Sequence, residues 1–126
     1  MTIREQVGTI LYDLCEDTGI TEMDDGDFEV QLNDCPVFVR AYESPPAISL
    51  YREVAEDVQL SEALTARLHD ENARYRVDRV FWEDGSLFPR ADIPSAPVVP
   101  EQLQHVLENF EAEVQAFREC LADWQE

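Results

Sequence analysis

The stretch from Val80 to Pro94, VFWEDGSLFPRADIP, constrains this chain more than any other, because Asp84-Gly85 sits between two alternating runs. A two-residue type I′ turn needs positive φ at both central residues, which Asp-Gly supplies readily, and such a turn fixes the register of the strands it joins. Glu83 then faces Ser86, Trp82 faces Leu87, Phe81 faces Phe88, Val80 faces Pro89 and Arg79 faces Arg90. Opposed pairs alternate between bonded and non-bonded, beginning with a bonded pair beside the turn, so Val80 and Pro89 form a non-bonded pair. Pro89 therefore costs the hairpin nothing. It would cost a hydrogen bond to a third strand on that side, and the strand carrying it is expected to be an edge, at least locally.

The same register sorts the side chains. Val80, Trp82, Leu87, Pro89, Ala91 and Ile93 share a face that reads as core, and Val77, Arg79, Phe81, Phe88, Arg90 and Asp92 share the other. Two directly opposed Arg are unfavourable unless an anion lies between them, supplied by Asp92, another acidic residue or a bound partner. Phe beside Arg is the composition of an interface hot spot, so Arg79, Phe81, Phe88 and Arg90 are the candidate partner-binding residues, for a peptide or a second subunit. The plainer reading, that helices cover both faces and the Phe pair belongs to the core, is the commoner fate of such a pair.

Elsewhere the apolar period names the elements. Ile3, Val7, Ile10, Leu11 and Leu14 recur at helical spacing behind Thr2, which with Glu5 forms a capping box, and Gly19 stops that helix. Phe28, Val30 and Leu32 alternate with polar residues as a strand, Asn33 and Asp34 suit a tight turn, and PVFVRAY continues as a second strand with Val37, Val39 and Ala41 on one side. After Pro45 and Pro46, residues 47–54 fit a strand, although Leu50, Val54 and Val58 also fit a helix. Leu60, Leu64 and Leu68 mark a second helix reaching about Tyr75, and Pro100 opens a long final helix with Leu103, Val106, Leu107, Phe110, Val114, Phe117, Leu121 and Trp124 on one stripe. The order αβββαββα predicts a single α+β domain over residues 1–126, an antiparallel sheet with helices packed mainly on one face. A chain of 126 residues suffices for a real core.

Charge narrows the function classes. Twenty-eight Asp and Glu oppose nine basic residues, all Arg, for a formal net charge of −19. Phosphate backbones and anionic membrane surfaces repel such a chain, so nucleic acid and membrane are not expected as partners, and a basic or apolar protein partner is. Simple solubilisation explains the acid equally well. Cys15, Cys35 and Cys120 are odd in number, widely spaced and without a CxxC, and read as small core hydrophobes. The N-terminal segment carries acid where a signal peptide needs an apolar run, which points to the cytoplasm.

Catalytic patterns are not evident. His69 and His105 fall in separate helices with no ligand-spaced neighbour, and no Ser sits in a nucleophile elbow. EMDDGDFE places Asp24, Asp25, Asp27 and Glu29 near a Gly but fails the EF-hand spacing, so it reads as an acidic turn, with neither metal nor cofactor expected. Asn72, close to the leucine stripe, reads as structural, capping a strand end or bonding a loop.

From Leu50 onward the chain resembles the YbjN-like and type III secretion chaperone-like (CesT-type) family of small α+β domains. The resemblance rests on LTARLHDENARYRVDRVFWEDGSLFPRADIP, Leu64 to Pro94: a leucine helix with an Asn near its end, a strand, an acidic-Gly turn and a strand closing on an acid, an aliphatic residue and Pro. PEQLQHVLENFEAEVQAFRECL is similar to the family's long final helix, and the first third is similar only in topology. The resemblance implies an αβββαββα domain without enzymatic activity or cofactor, binding peptides or unfolded segments of client proteins, often as a homodimer. The alternative is a homodimeric regulatory or structural subunit without chaperone activity.

Overall fold

Nine elements succeed one another in the computed structural model, which describes residues 1–15, 19–32, 35–74, 78–95 and 97–124. They are α1 (Ile3–Leu14), β1 (Ile20–Glu22), β2 (Phe28–Leu32), β3 (Cys35–Glu43), β4 (Pro46–Tyr51), α2 (Glu62–Arg74), β5 (Asp78–Glu83), β6 (Ser86–Pro94) and α3 (Pro100–Trp124). The six strands form one antiparallel sheet in the order β1-β2-β3-β4-β6-β5. The predicted α+β class and helix count hold, and the sheet gains one strand. β1 has only three residues, too short for an alternating pattern to announce it, and it exists because Ile20, Thr21 and Glu22 pair with Val30, Glu29 and Phe28.

The β5–β6 hairpin has the register that the Asp-Gly turn dictates, from Glu83 opposite Ser86 to Arg79 opposite Arg90, with φ of 49° at Asp84 and 86° at Gly85. The expectation that β6 is an edge is overturned. β6 lies inside the sheet, and β5 is the edge. The regular β4 ladder begins at Tyr51 opposite Arg90, one residue past Pro89. Beyond it the chain continues irregularly beside β6, with Arg52 N–H donating to the Pro89 carbonyl at 3.2 Å, Val54 N–H to Leu87 at 2.9 Å and Val58 N–H to Gly85 at 2.7 Å. Proline withholds one donor but still accepts, so the sheet forfeits a single bond there, and the packing of the neighbouring Leu87 and Ala91, both fully buried, outweighs it. Residues 47–54 are accordingly extended, strand to Tyr51 and irregular beyond, and the helical alternative fails.

The exposed edge of β5 is closed by a side chain. Because Val80 and Pro89 are a non-bonded pair, Val80 turns its backbone groups away from β6, and Asn72 of α2 meets both: Val80 N–H donates to Oδ1 at 2.6 Å, and Nδ2 donates to the Val80 carbonyl at 3.1 Å. Asn72 thus acts as one residue of a missing seventh strand, a device that keeps an edge from pairing with other chains.

All three helices pack on one face of the sheet. Val7 and Leu11 of α1 and Leu103, Val106, Leu107, Phe110 and Val114 of α3 bury Phe28, Val30, Val37, Val39, Ile48, Leu50, Ala91 and Ile93, and a second cluster joins Leu68 of α2 and Phe117 and Leu121 of α3 to Val80 and Leu87. Trp82, also on this face, donates its indole N–H to the Val58 carbonyl at 2.7 Å. The Thr2–Glu5 capping box is present, and Glu43 at the end of β3 accepts the Ile3 and Arg4 N–H groups at 2.9 and 3.2 Å, tying α1 to the sheet through its free donors. The Thr2 backbone N–H holds the Glu5 carboxyl below its ordinary range. α1 ends earlier than Gly19, at Leu14 with Cys15 as its C-cap. Ser61 caps α2, leaving Leu60 outside it and exposed. Cys15 is buried and Cys120 is half-buried. Tyr75, Val77, the Asn33-Asp34 turn and the side chains of Leu32, Cys35 and Trp124 lie outside the described residues.

Candidate functional site

Alternation along the strands gives the second face of the sheet its own residue set, and among the described residues no helix covers it. One row crosses all six strands: Thr21, Glu29, Phe38, Tyr51, Arg90 and Arg79. The next row carries Arg40, Ser49 and Asp92, and on the other side Phe88 faces Phe81. Phe81 is 48% exposed and Phe88 half-buried. The plainer expectation, a Phe pair sealed under helices, therefore fails, and Arg79, Phe81, Phe88 and Arg90 stand together on an open surface.

A pocket of about 380 Å³ opens on this face, lined by Arg40, Tyr42, Ser49, Tyr51, Phe81, Glu83, Phe88 and Arg90, and by Trp82 between Phe81 and Glu83, whose indole packs on the helix side. Its size is at the small end for ligand sites, roughly 300–1,000 Å³, which suits one or two side chains of a larger partner. Of the four residues named from the sequence, three line it; Arg79 stands beside Arg90 at its border.

Two ion-paired networks frame the pocket. Asp27, 2% exposed, accepts from Arg40 Nε at 2.8 Å and from Arg40 Nη2 at 2.9 Å, and also from the Tyr51 hydroxyl. Asp27 is placed by the acidic turn: Asp25 Oδ1 accepts the Asp27 N–H at 3.0 Å, Met23 N–H closes on the Asp27 carbonyl at 2.8 Å, and Gly26 takes a φ of 95° that only glycine adopts freely. The Asp27 hydrogen bonds push the Arg40 guanidinium further above its ordinary value, and burial together with the bond to Asp27 raises the Tyr51 phenol. Tyr51 stacks on Phe38 with centroids 5.4 Å apart, and the Arg40 guanidinium sits 5.5 Å from the Tyr51 ring.

The second network answers the like-charge problem of the hairpin. Arg90 Nε donates to Asp92 Oδ1 at 2.9 Å and Nη2 donates to Ser49 Oγ at 3.1 Å, while the Ser49 hydroxyl donates to Asp92. Asp92 is the anion that lets Arg90 stand opposite Arg79, and it raises the Arg90 guanidinium.

Sequence reasoning did not place Arg40, Tyr42, Ser49, Tyr51 or Asp27 in this site. A signal existed in β3, where the polar alternates of Val37, Val39 and Ala41 are Phe38, Arg40 and Tyr42, the same aromatic-and-Arg mixture as the hairpin. His69 and His105 are exposed on separate helices, far from any shared cluster in sequence or element. Among the described residues, no group of three or more His, Cys, Asp or Glu is arranged to hold a metal ion, and no helix is long and apolar enough to cross a membrane. The face offers aromatic surface framed by committed guanidiniums, a chemistry for recognition.

The fold is a small α+β domain whose helices gather on one face of the sheet and whose other face is open and aromatic. The chain belongs to the family of type III secretion (YopN, CesT) and YbjN peptide-binding chaperones, whose model matches residues 2–124 and so extends the likeness over the first third of the chain. The protein is thus a chaperone-like peptide-binding module. Solved structures share its fold: a chain of the ExsC–ExsE complex, with a TM-score of 0.74 at 15% identity over 94% of this chain and 96% of that one, and a chain of the HopA1–SchA chaperone–effector complex, with 0.71 at 9% identity over 92% and 95%. YbjN from E. coli superposes with a TM-score of 0.69 at 18% identity, covering 95% of this chain and 92% of that one. No curated protein matches the sequence.

Proposed function

We propose that the protein holds a segment of a client protein against the open face of its sheet, without catalysis, in the cytoplasm, with Phe81, Phe88, Arg79 and Arg90 among the contacts and Tyr42, Tyr51 and Arg40 completing the surface. The observation that carries this reading is the pocket itself, aromatic residues left uncovered by all three helices in a member of a peptide-binding family. The net charge of −19 favours a client segment that is basic or apolar, and works against nucleic acid and anionic membrane. Homodimerisation would use other surfaces, such as the shallow groove along α2 lined by Leu60, Thr65, Ala66 and His69, and light scattering after size exclusion reads that state.

Affinity recovery from native lysate tests the reading, with wild type beside Phe81→Ala/Phe88→Ala, at low and moderate salt. A client retained by wild type at moderate salt and lost by the variant is expected. Equal recovery by both, or no salt-resistant partner, overturns the open-face assignment, since nonspecific basic contaminants of so acidic a protein leave as salt screens them.

A further inference from the structure

Charge is distributed unevenly along the open face. Of the pocket's nine lining residues two are guanidiniums and one is a carboxylate, Glu83. Both guanidiniums are engaged, Arg40 by Asp27 with Asp25 at 3.9 Å and Arg90 by Asp92. The Glu83 carboxylate is exposed and, among the described residues, makes no hydrogen bond or ion pair. Opposite it stands Ser86, whose hydroxyl donates to Glu53, a second exposed carboxylate. Two acids therefore flank the turn end of the face. One side-chain step inward, about 7 Å along the strands, come Phe81 and Phe88. Arg79, with an interaction of its own, is about 14 Å from Glu83 by strand rise.

An extended peptide repeats its same-side residues at that same spacing, so acid followed by aromatic on the face is complementary to base followed by apolar on a ligand. We propose that Glu83, backed by Glu53, makes the face specific for client segments in which an arginine or lysine lies two residues from an apolar residue. The cation meets the unengaged carboxylate and its stem and the apolar residue cover Phe81 and Phe88. This deepens the open-face reading and rests on it.

A random dodecapeptide library displayed on phage, selected on the full-length protein at about 150 mM salt, where the Debye length is about 8 Å and the general acidic field is damped, tests it. The expected enriched pattern is Arg or Lys, any residue, then an apolar one. A synthetic enriched peptide should bind about fivefold more weakly when its Arg is replaced by citrulline, the worth of one half-exposed ion pair. Glu83→Gln should bind the Arg peptide as weakly as the citrulline one, while Glu62→Gln, an exposed acid on α2, should keep the distinction. Enriched peptides without a basic residue, or an Arg preference that survives in Glu83→Gln/Glu53→Gln, overturn the proposal while leaving the face as the binding surface. Enrichment of no peptide, or binding undiminished in Phe81→Ala/Phe88→Ala, removes the open-face reading and this one with it.

Discussion

Replacing Asn72 by Ala removes both partners of the Val80 backbone at the outer edge of the sheet. Val80 is 3% exposed, so its N–H and carbonyl find little water in exchange. Each net hydrogen bond is worth about 1 kcal/mol and an unsatisfied buried group costs about 1–3 kcal/mol. Partial access at an edge lowers the second figure, and a total loss of about 2–3 kcal/mol is expected. For a domain of this size that corresponds to a fall in Tm of roughly 10 °C. Urea unfolding measures the loss, and amide exchange locates it: Val80 should exchange faster than the global destabilisation explains, whereas Phe81, whose N–H belongs to a bonded pair with Phe88, should track global stability. Asn72→Asp keeps an acceptor for the Val80 N–H but sets a carboxylate against the Val80 carbonyl. It should destabilise while retaining selective protection of Val80. The freed edge should also raise light scattering, since an unpaired strand edge templates association. A loss under about 0.5 kcal/mol, within the ordinary range for surface substitutions, or a Val80 amide no faster than that of Phe81, refutes the role given to Asn72.

Two further perturbations probe the site and the core beneath it. Tyr51 has its phenol raised by burial and by its bond to Asp27, so the folded state keeps a proton that the unfolded chain releases above its ordinary value of about 10. Its stabilisation is complete below that pH and is lost as pH climbs towards the folded value. In an absorbance titration near 295 nm, Tyr51 should add no ionisation step near pH 10 in the folded protein, so wild type and Tyr51→Phe should superpose there. A step near pH 10 that Tyr51→Phe removes would contradict the network. In α1, a Cβ at Gly8 would lie 3.0 Å from Cζ of Phe28, a fully buried ring with the Arg4 guanidinium 4.9 Å from its centroid. Gly8→Ala gains about 1 kcal/mol of helix propensity and pays about 1–3 kcal/mol of overpacking, so thermal unfolding should show a lower Tm, and a raised one would show that the ring yields freely.

What local chemistry could decide was legible in the sequence. The Asp84-Gly85 turn set the β5–β6 register because a two-residue loop leaves one way to close it, the Thr2–Glu5 box set the start of α1, and Pro100 with a stripe of eight apolar residues set α3. The polarity of the hairpin's second face followed from alternation alone, so Arg79, Phe81, Phe88 and Arg90 were grouped on one face before any neighbour was known.

Tertiary structure decided which strands lie side by side. Strand order is a non-local choice, settled by the apolar area that β4 and β6 bury together, and it overrode the edge implied by Pro89, where one missing N–H counts for about 1 kcal/mol. That choice brought Ser49 and Tyr51 beside Arg90, and β3 with Arg40 and Tyr42 one strand further on, turning a hairpin face into a pocket. It also put every helix on the other side of the sheet, because the continuous apolar face formed by six strands is the one that three amphipathic helices can bury. Residue types fixed the chemistry of the open face; only the order of strands gave it neighbours, and only the siding of helices left it open.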